Sequence, residues 1–165
     1  MNTYQSYRGN IRSGDTISFS RQGGNPFLAF IFYIISAVTG STWYHTGTAY
    51  VIGGRVFIIE AVWPRVRIYP LGYLGSFYHM GLDINFTEES ERMLLSQVGK
   101  PYSIIKAIIA VFLTPRGTAS WQCSMLNIEF LKANGYPDHW DQYTPGGCVN
   151  TLVERYGKNN EFVKN

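Results

Sequence analysis

Charge, cysteine and long apolar runs are all in short supply in this chain. Only 15% of its 165 residues are Asp, Glu, Lys or Arg, and the formal net charge is +3. The basic residues are scattered rather than gathered in a stripe. That excludes a charge-driven nucleic-acid binder and leaves at most a weak attraction to anionic surfaces. Two cysteines, Cys123 and Cys148, are too few for a disulfide framework and lack metal-ligand spacing. Both read as reduced thiols, which fits a reducing compartment. The longest apolar run, residues 26–39, falls short of the roughly 20 residues that span a bilayer. It reads as a buried core helix, and its lack of a charged face counts against an interfacial one. Residues 1–15 are polar and carry no signal peptide, so the expected location is cytoplasmic as synthesised, with export by another route left open. There is no repeat, no low-complexity tract, no phosphate-binding glycine loop and no G-x-S-x-G elbow. No cofactor or metal is expected.

What the chain does have is aromatic surface: 12 Tyr, 10 Phe and 4 Trp. Its length suits a single domain over 1–165 with a core at about 14–156 and a frayed polar tail after Gly157. Sequence patterning predicts a strand over 16–20 and a helix over 26–38, with Gly40 as its C-cap. Strands over 45–52 and 55–62 flank Gly53-Gly54, a two-residue hairpin signal. Further strands are predicted over 66–69 and 77–84. Thr87 caps a helix that ends at Gly99, and Pro101 opens an apolar helix over 102–113. A loop over 114–119 leads to a helix from Ser120 to near Gly135, and Pro145-Gly146-Gly147 precedes a last short helix over 149–155. Strands then helices make an α+β layout.

Two features carry chemistry. Ser120 is a good N-cap, which makes Cys123 the third helical position, where free N–H groups and the helix dipole favour the nucleophilic thiolate. If Ile52 and Arg55 close the hairpin, paired positions sum to 107: Gly47 faces Glu60 and His45 faces Val62. His45 and Glu60 are then diagonal neighbours on the face that carries Ala49, Val51, Val56 and Ile58. Gly47 would leave space opposite Glu60. A carboxylate orients an imidazole and stabilises its protonated form, and an imidazole takes the proton of a thiol. Spacing does not bring Cys123 to His45; only packing of the helix on the sheet does. The residue types alone also fit a buried filler cysteine and a surface histidine. Glu60 interrupts an apolar strand and needs a partner: His45, Arg55, Arg65 or Arg67. His79 and His139 read as structural or solvated. Cys148, opening a short helix, is a lesser candidate for a lowered pKa.

Five segments carry a resemblance: Gly14-Asp15-Thr16-Ile17, Trp43-Tyr44-His45-Thr46-Gly47, Phe57-Ile58-Ile59-Glu60-Ala61, Gly99-Lys100-Pro101-Tyr102 and Trp121-Gln122-Cys123-Ser124. In this order the chain resembles the papain-like hydrolases of the NlpC superfamily, in the circularly permuted branch that includes YiiX-like proteins and relatives of lecithin–retinol acyltransferase. The resemblance spans roughly residues 14–150. It implies a permuted papain-like fold, an antiparallel sheet or small barrel packed against helices. It implies Cys123 as nucleophile, His45 as base, Glu60 as third polar residue and Tyr102 as a site-lining oxyanion group. Met125 departs from the family, whose residue there is often acidic. The expected activity is hydrolysis of an amide, with cell-wall peptide (peptidoglycan) as leading substrate class. A lipid-directed acyltransferase or thioesterase with peripheral membrane contact, and a non-catalytic binding module, are the alternatives.

Overall fold

The structure is a computed structural model describing residues 2–20, 42–102, 123–136, 140 and 144–165. The helices expected over 26–38 and 102–113, the loop over 114–119, the Ser120 cap, Trp121, Gln122 and His139 lie outside the described residues, apart from Tyr102 itself.

Among the described residues, seven strands form one sheet: β1 (Asn2–Thr3), β2 (Thr16–Ser20), β3 (Trp43–Ile52), β4 (Arg55–Val62), β5 (Arg65–Pro70), β6 (Phe77–Met80) and β7 (Glu161–Lys164). Their order is β1-β7-β6-β2-β3-β4-β5. The β1–β7 pair is parallel and the others antiparallel, so the sheet is mixed. The described helices are α1 (Tyr4–Tyr7), α2 (Glu88–Leu95), α3 (Cys123–Ala133) and α4 (Pro145–Tyr156). This is an α+β architecture.

Both faces of the sheet are covered. One face sets Tyr50, Ile59, Ala61, Val66 and Met80 against Leu126, Phe130 and Leu131 of α3, Leu152 of α4 and Leu94 of α2. The other gathers Ile17, Phe19, Ala49, Val56, Ile58, Phe77 and Val163 with Tyr7 and Ile11. Side chains alternate across a strand, so burial of both faces requires neighbours such as Ile58 and Ile59 to be apolar together, and both are 0% exposed. A two-sided core also explains why so few residues are charged.

The β3–β4 hairpin keeps the expected register, from Ile52↔Arg55 to Thr48↔Ile59, around Gly53 (φ 56°) and Gly54 (φ 73°). Both glycines have positive φ, as a two-residue hairpin turn demands. Thr87 caps α2 as expected, accepting from the Ser90 N–H at 3.2 Å.

Several details differ from the sequence reading. The Thr87 helix ends at Leu95, short of Gly99. The tail after Gly157 is not frayed: residues 161–164 form β7, between β1 and β6, with Val163 0% exposed. The strand from Phe77 stops at Met80 because the Leu82 N–H turns to the Asp15 carboxylate at 2.9 Å. The last helix starts at Pro145, capped by Thr144, whose hydroxyl accepts from the Gly147 N–H at 3.1 Å. Gly146-Gly147 is therefore its first turn, and Cys148 lies inside the helix rather than opening it. The space beside Gly47 is filled: a Cβ there would meet Ile58 Cδ1 at 2.7 Å and the Ile59 carbonyl oxygen at 2.9 Å. Gly47 is needed to admit Ile58, not to make room for Glu60.

Candidate active site

His45 lies near the start of β3, beside an irregularity the sequence did not reveal. Phe19 of β2 pairs with His45, but Ser20 pairs with Trp43, so Tyr44 is an extra residue. A bulge of this kind twists the strand and re-aims the side chain next to it. The His45 ring stacks on Phe19, with centroids 5.7 Å apart. Its Nε2 meets Glu60 Oε2 at 2.6 Å. Glu60, on β4, is 2% exposed, and its other oxygen, Oε1, accepts from Arg67 Nε at 2.8 Å and pairs with Arg67 Nη2 at 2.7 Å. Arg67 sits directly across the β4–β5 ladder from Glu60. Of the arginines open as partners, Arg67 is the one that pairs.

Cys123 is brought to this group by a polar tie in an otherwise apolar interface. Asn127, 0% exposed, accepts from the Thr48 hydroxyl at 2.8 Å and donates to Thr16 Oγ1 at 3.1 Å, pinning α3 to β2 and β3. Four residues of helix rise about 6 Å. Two residues of strand rise about 6.8 Å. The step from Asn127 back to Cys123 therefore matches the step from Thr48 back to Thr46, and the Cys123 thiol accepts from the backbone of Thr46 as well as of Ser124. There it also comes within electrostatic reach of the His45 imidazole. An ionised carboxylate only accepts, so His45 Nε2 carries a proton toward Glu60 and Nδ1 is the nitrogen left for the thiol. Asn127 was missed in the sequence, where its only sign is an amide four residues after Cys123 in an apolar run.

The electrostatics follow from this geometry. Burial pushes the Cys123 thiol up, but the His45 charge and hydrogen bond, with the backbone donors, outweigh it and hold the thiol below its ordinary value. Burial lowers His45, yet the thiolate and Glu60 overcome it and raise the imidazole to about 10. Burial raises Glu60, and the hydrogen bonds and charges of His45 and Arg67 bring it below the carboxylate range. The directions favour the thiolate at Cys123 and the imidazolium at His45. Tyr102 is anchored by its N–H on the Pro64 carbonyl at 2.9 Å, and its phenol is held protonated first by burial and then by the charge of Cys123.

The remaining candidates stand apart. Cys148 is 0% exposed, and burial lifts its thiol to about 12, overriding the Asn127 amide that donates to its sulfur at 3.4 Å. The lowered pKa considered for it is therefore wrong: Cys148 is buried inside the helix, and its own N–H is spent on the Thr144 carbonyl. His79, 5% exposed, donates from Nε2 to Asp15 Oδ2 at 2.8 Å, and its Nδ1 meets the Tyr7 hydroxyl at 2.9 Å. A recess of about 360 Å³ borders this second pair, lined in part by Tyr7, Asn10, Lys158 and Glu161. It offers no free imidazole nitrogen, and it is not at the Cys123 site. Among the described residues no group of three or more His, Cys, Asp or Glu side chains could hold a metal ion. None of the described helices is long and apolar enough to cross a membrane.

No sequence-family profile matches the chain, and no curated protein sequence does. A solved structure shares its fold: the crystal structure of the metalloprotein yiiX from Escherichia coli O157:H7, with a TM-score of 0.57 and 20% identity over 93% of this chain and 88% of that one. At that identity the likeness is one of architecture.

Proposed function

We propose that the protein is a cysteine hydrolase that cleaves an amide bond through a thioacyl-enzyme intermediate. The observation that carries this reading is the continuous line of Cys123 thiol, His45 imidazole and Glu60 carboxylate, with the thiol lowered and the imidazole raised. A thiol drawn down and an imidazole drawn up toward each other are what nucleophilic catalysis by a thiol requires. Cys123 attacks the carbonyl carbon as thiolate. The Cys123 backbone N–H and the Tyr102 hydroxyl are the donors assigned to the oxyanion. His45 gives its proton to the leaving amine, the thioester remains on Cys123, and His45 then takes a proton from water as the water attacks.

Two further features support the reading. The chain's order, histidine hairpin before cysteine helix, is that of the permuted NlpC-type papain-like hydrolases it resembles, and the architecture it shares with yiiX is consistent with that assignment. The resemblance points to a peptide amide, such as one in a cell-wall stem peptide, as the substrate class.

The test is iodoacetamide alkylation across pH, with the modified cysteine located by mass spectrometry. Cys123 should label selectively at pH 6, far faster than a free thiol, and His45→Ala should abolish that advantage. An ordinary thiol profile at Cys123 would remove the basis for the proposal.

A further inference from the structure

We propose that Arg67 is a positioning residue of this site: it acts through Glu60, keeping the carboxylate ionised and turned so that one oxygen is reserved for a protonated His45. The inference rests on the proposed function, in which His45 holds the proton of Cys123.

Glu60 is 2% exposed, and a carboxylate out of water stays charged only if it is paired. His45 occupies Oε2 alone. Arg67 directs both Nε and Nη2 to the same atom, Oε1, at 2.8 and 2.7 Å. The two oxygens are thus divided, one to a permanent cation and one to the imidazole. The guanidinium cannot lose its proton in the working range, so it is a fixed charge where His45 is a variable one. Arg67 is itself held in place: it lies opposite Glu60 in the ladder, and its guanidinium stacks 4.4 Å from the Tyr69 ring centroid. The Arg67 side chain is 44% exposed, so as a salt bridge it adds little to stability. Its consequence lies in the state of Glu60. If Glu60 took up a proton, the imidazolium would lose its anionic acceptor. A lysine supplies a point charge but not two parallel donors.

Among the described residues, the other groups facing His45 do not supply this. Phe19 from β2 is apolar. Tyr44 from β3 is a phenol whose proton Glu60 helps retain, after burial. Cys123 from α3, with Tyr102 beyond it, contributes the thiolate.

The experiment is an NMR titration of histidine-labelled protein, with His45 assigned by His45→Gln, in wild type, Arg67→Gln, Arg67→Lys, Glu60→Gln and the double variant. Arg67→Gln should shift the His45 midpoint by about one unit or more, which is about tenfold in imidazolium at a given pH. Arg67→Lys should restore roughly half of that shift, because it keeps the charge and loses the fork. In Glu60→Gln, removing Arg67 should move the midpoint by less than about a third of a unit, since its route is gone. An unchanged midpoint in Arg67→Gln overturns the inference, as does an equal shift with and without Glu60. Arg67→Lys keeps the test decisive if Arg67→Gln does not fold. Ordinary alkylation of Cys123 in the wild type would instead overturn the hydrolase reading, a separate failure, because the imidazole midpoint is read without the thiol's reactivity.

Discussion

His45 meets Glu60 at 2.6 Å, and His79 meets Asp15 at 2.8 Å, on strands that flank β2 in the same sheet. Both imidazoles are largely buried and both carboxylates are nearly inaccessible. The difference lies in what completes each pair. Asp15 accepts the N–H groups of Arg12 at 2.7 Å and Leu82 at 2.9 Å, and His79 spends its second nitrogen on Tyr7. Every group there is tied to backbone or phenol, so the pair fastens the start of β2 to the end of β6. At His45 the second nitrogen turns to a thiol, and the carboxylate is backed by a guanidinium rather than by backbone. A histidine–carboxylate contact therefore says little by itself. The third partner separates a structural clasp from the centre proposed to be reactive.

The sharpest way to break this comparison is to remove each histidine. His45→Ala and Cys123→Ala should each cost at least about a thousandfold in turnover of an amide substrate while leaving the fold intact. Glu60→Gln should cost less, because it disturbs the orienting group and leaves nucleophile and base in place. Cys148→Ala should retain activity. His79→Gln should do the reverse of His45→Ala: lower the melting temperature by the loss of two buried hydrogen bonds, about 1–3 kcal/mol, with fast alkylation of Cys123 preserved. If Cys148→Ala or His79→Gln abolished turnover in a folded protein, the wrong pair has been placed at the centre.

A smaller effect is expected in the pH dependence of stability. His45 is raised from 6.5 to about 10, so taken alone its contribution is complete below 6.5 and lost as pH rises to about 10. Cys123 is lowered from 9.0, so its contribution is present above 9.0 and lost as pH falls through its folded value. Below 9.0, and above both 6.5 and the folded value of Cys123, folded and unfolded chains each hold one proton on this pair, and the two slopes cancel. Above 9.0 the unfolded chain has released both and the folded pair still holds one, so stability falls toward pH 10. The melting-temperature difference between wild type and a Cys123→Ser, His45→Gln double variant should be level as pH approaches 9 and shrink beyond it. A difference that shrinks steadily from pH 6.5 upward would mean that the thiol is not ionised beside the imidazole.

Much of this geometry was legible in the chain, and the parts that were not share a cause. Gly53-Gly54 sets the hairpin register, and register alone makes His45 and Glu60 neighbours, because side-chain alternation has a strict period. Thr87 announces α2 through the chemistry of its cap. What could not be read depends on contacts distant in sequence. The extra residue at Tyr44 shows only against β2. Asn127 gains its meaning from Thr48 and Thr16, more than seventy residues away. Gly47 looked like a vacancy because pairing rules do not show that Ile58 leans into it. The last strand, Glu161–Lys164, is four residues in a polar tail whose Val163 is buried only because β1 and β6 lie on either side. Cys148 was misjudged because Gly146-Gly147 reads as a turn, whereas the Thr144 cap with Pro145 behind it makes those glycines helical.

The smallest change sharpens the comparison most, since it touches the clasp at one atom. Tyr7 is 7% exposed, and its hydroxyl is held protonated, to about 12, by burial first and then by Glu161 and Asp15. Tyr7→Phe deletes one oxygen and leaves the ring in the core beside Ile17 and Phe77. It removes the partner of His79 Nδ1, but the adjoining recess of about 360 Å³ lets water reach that nitrogen. The expected cost is therefore near that of one ordinary hydrogen bond, about 1 kcal/mol, or a few degrees in melting temperature for a chain of this size. Cys123 alkylation at pH 6 should stay within about a factor of two of wild type, because a change of tenfold corresponds to about 1.4 kcal/mol at the thiol and no contact carries that from Tyr7. A tenfold fall would show that β2, which lies between the two histidines, transmits strain from one pair to the other. The clasp would then be part of the reactive centre rather than its foil.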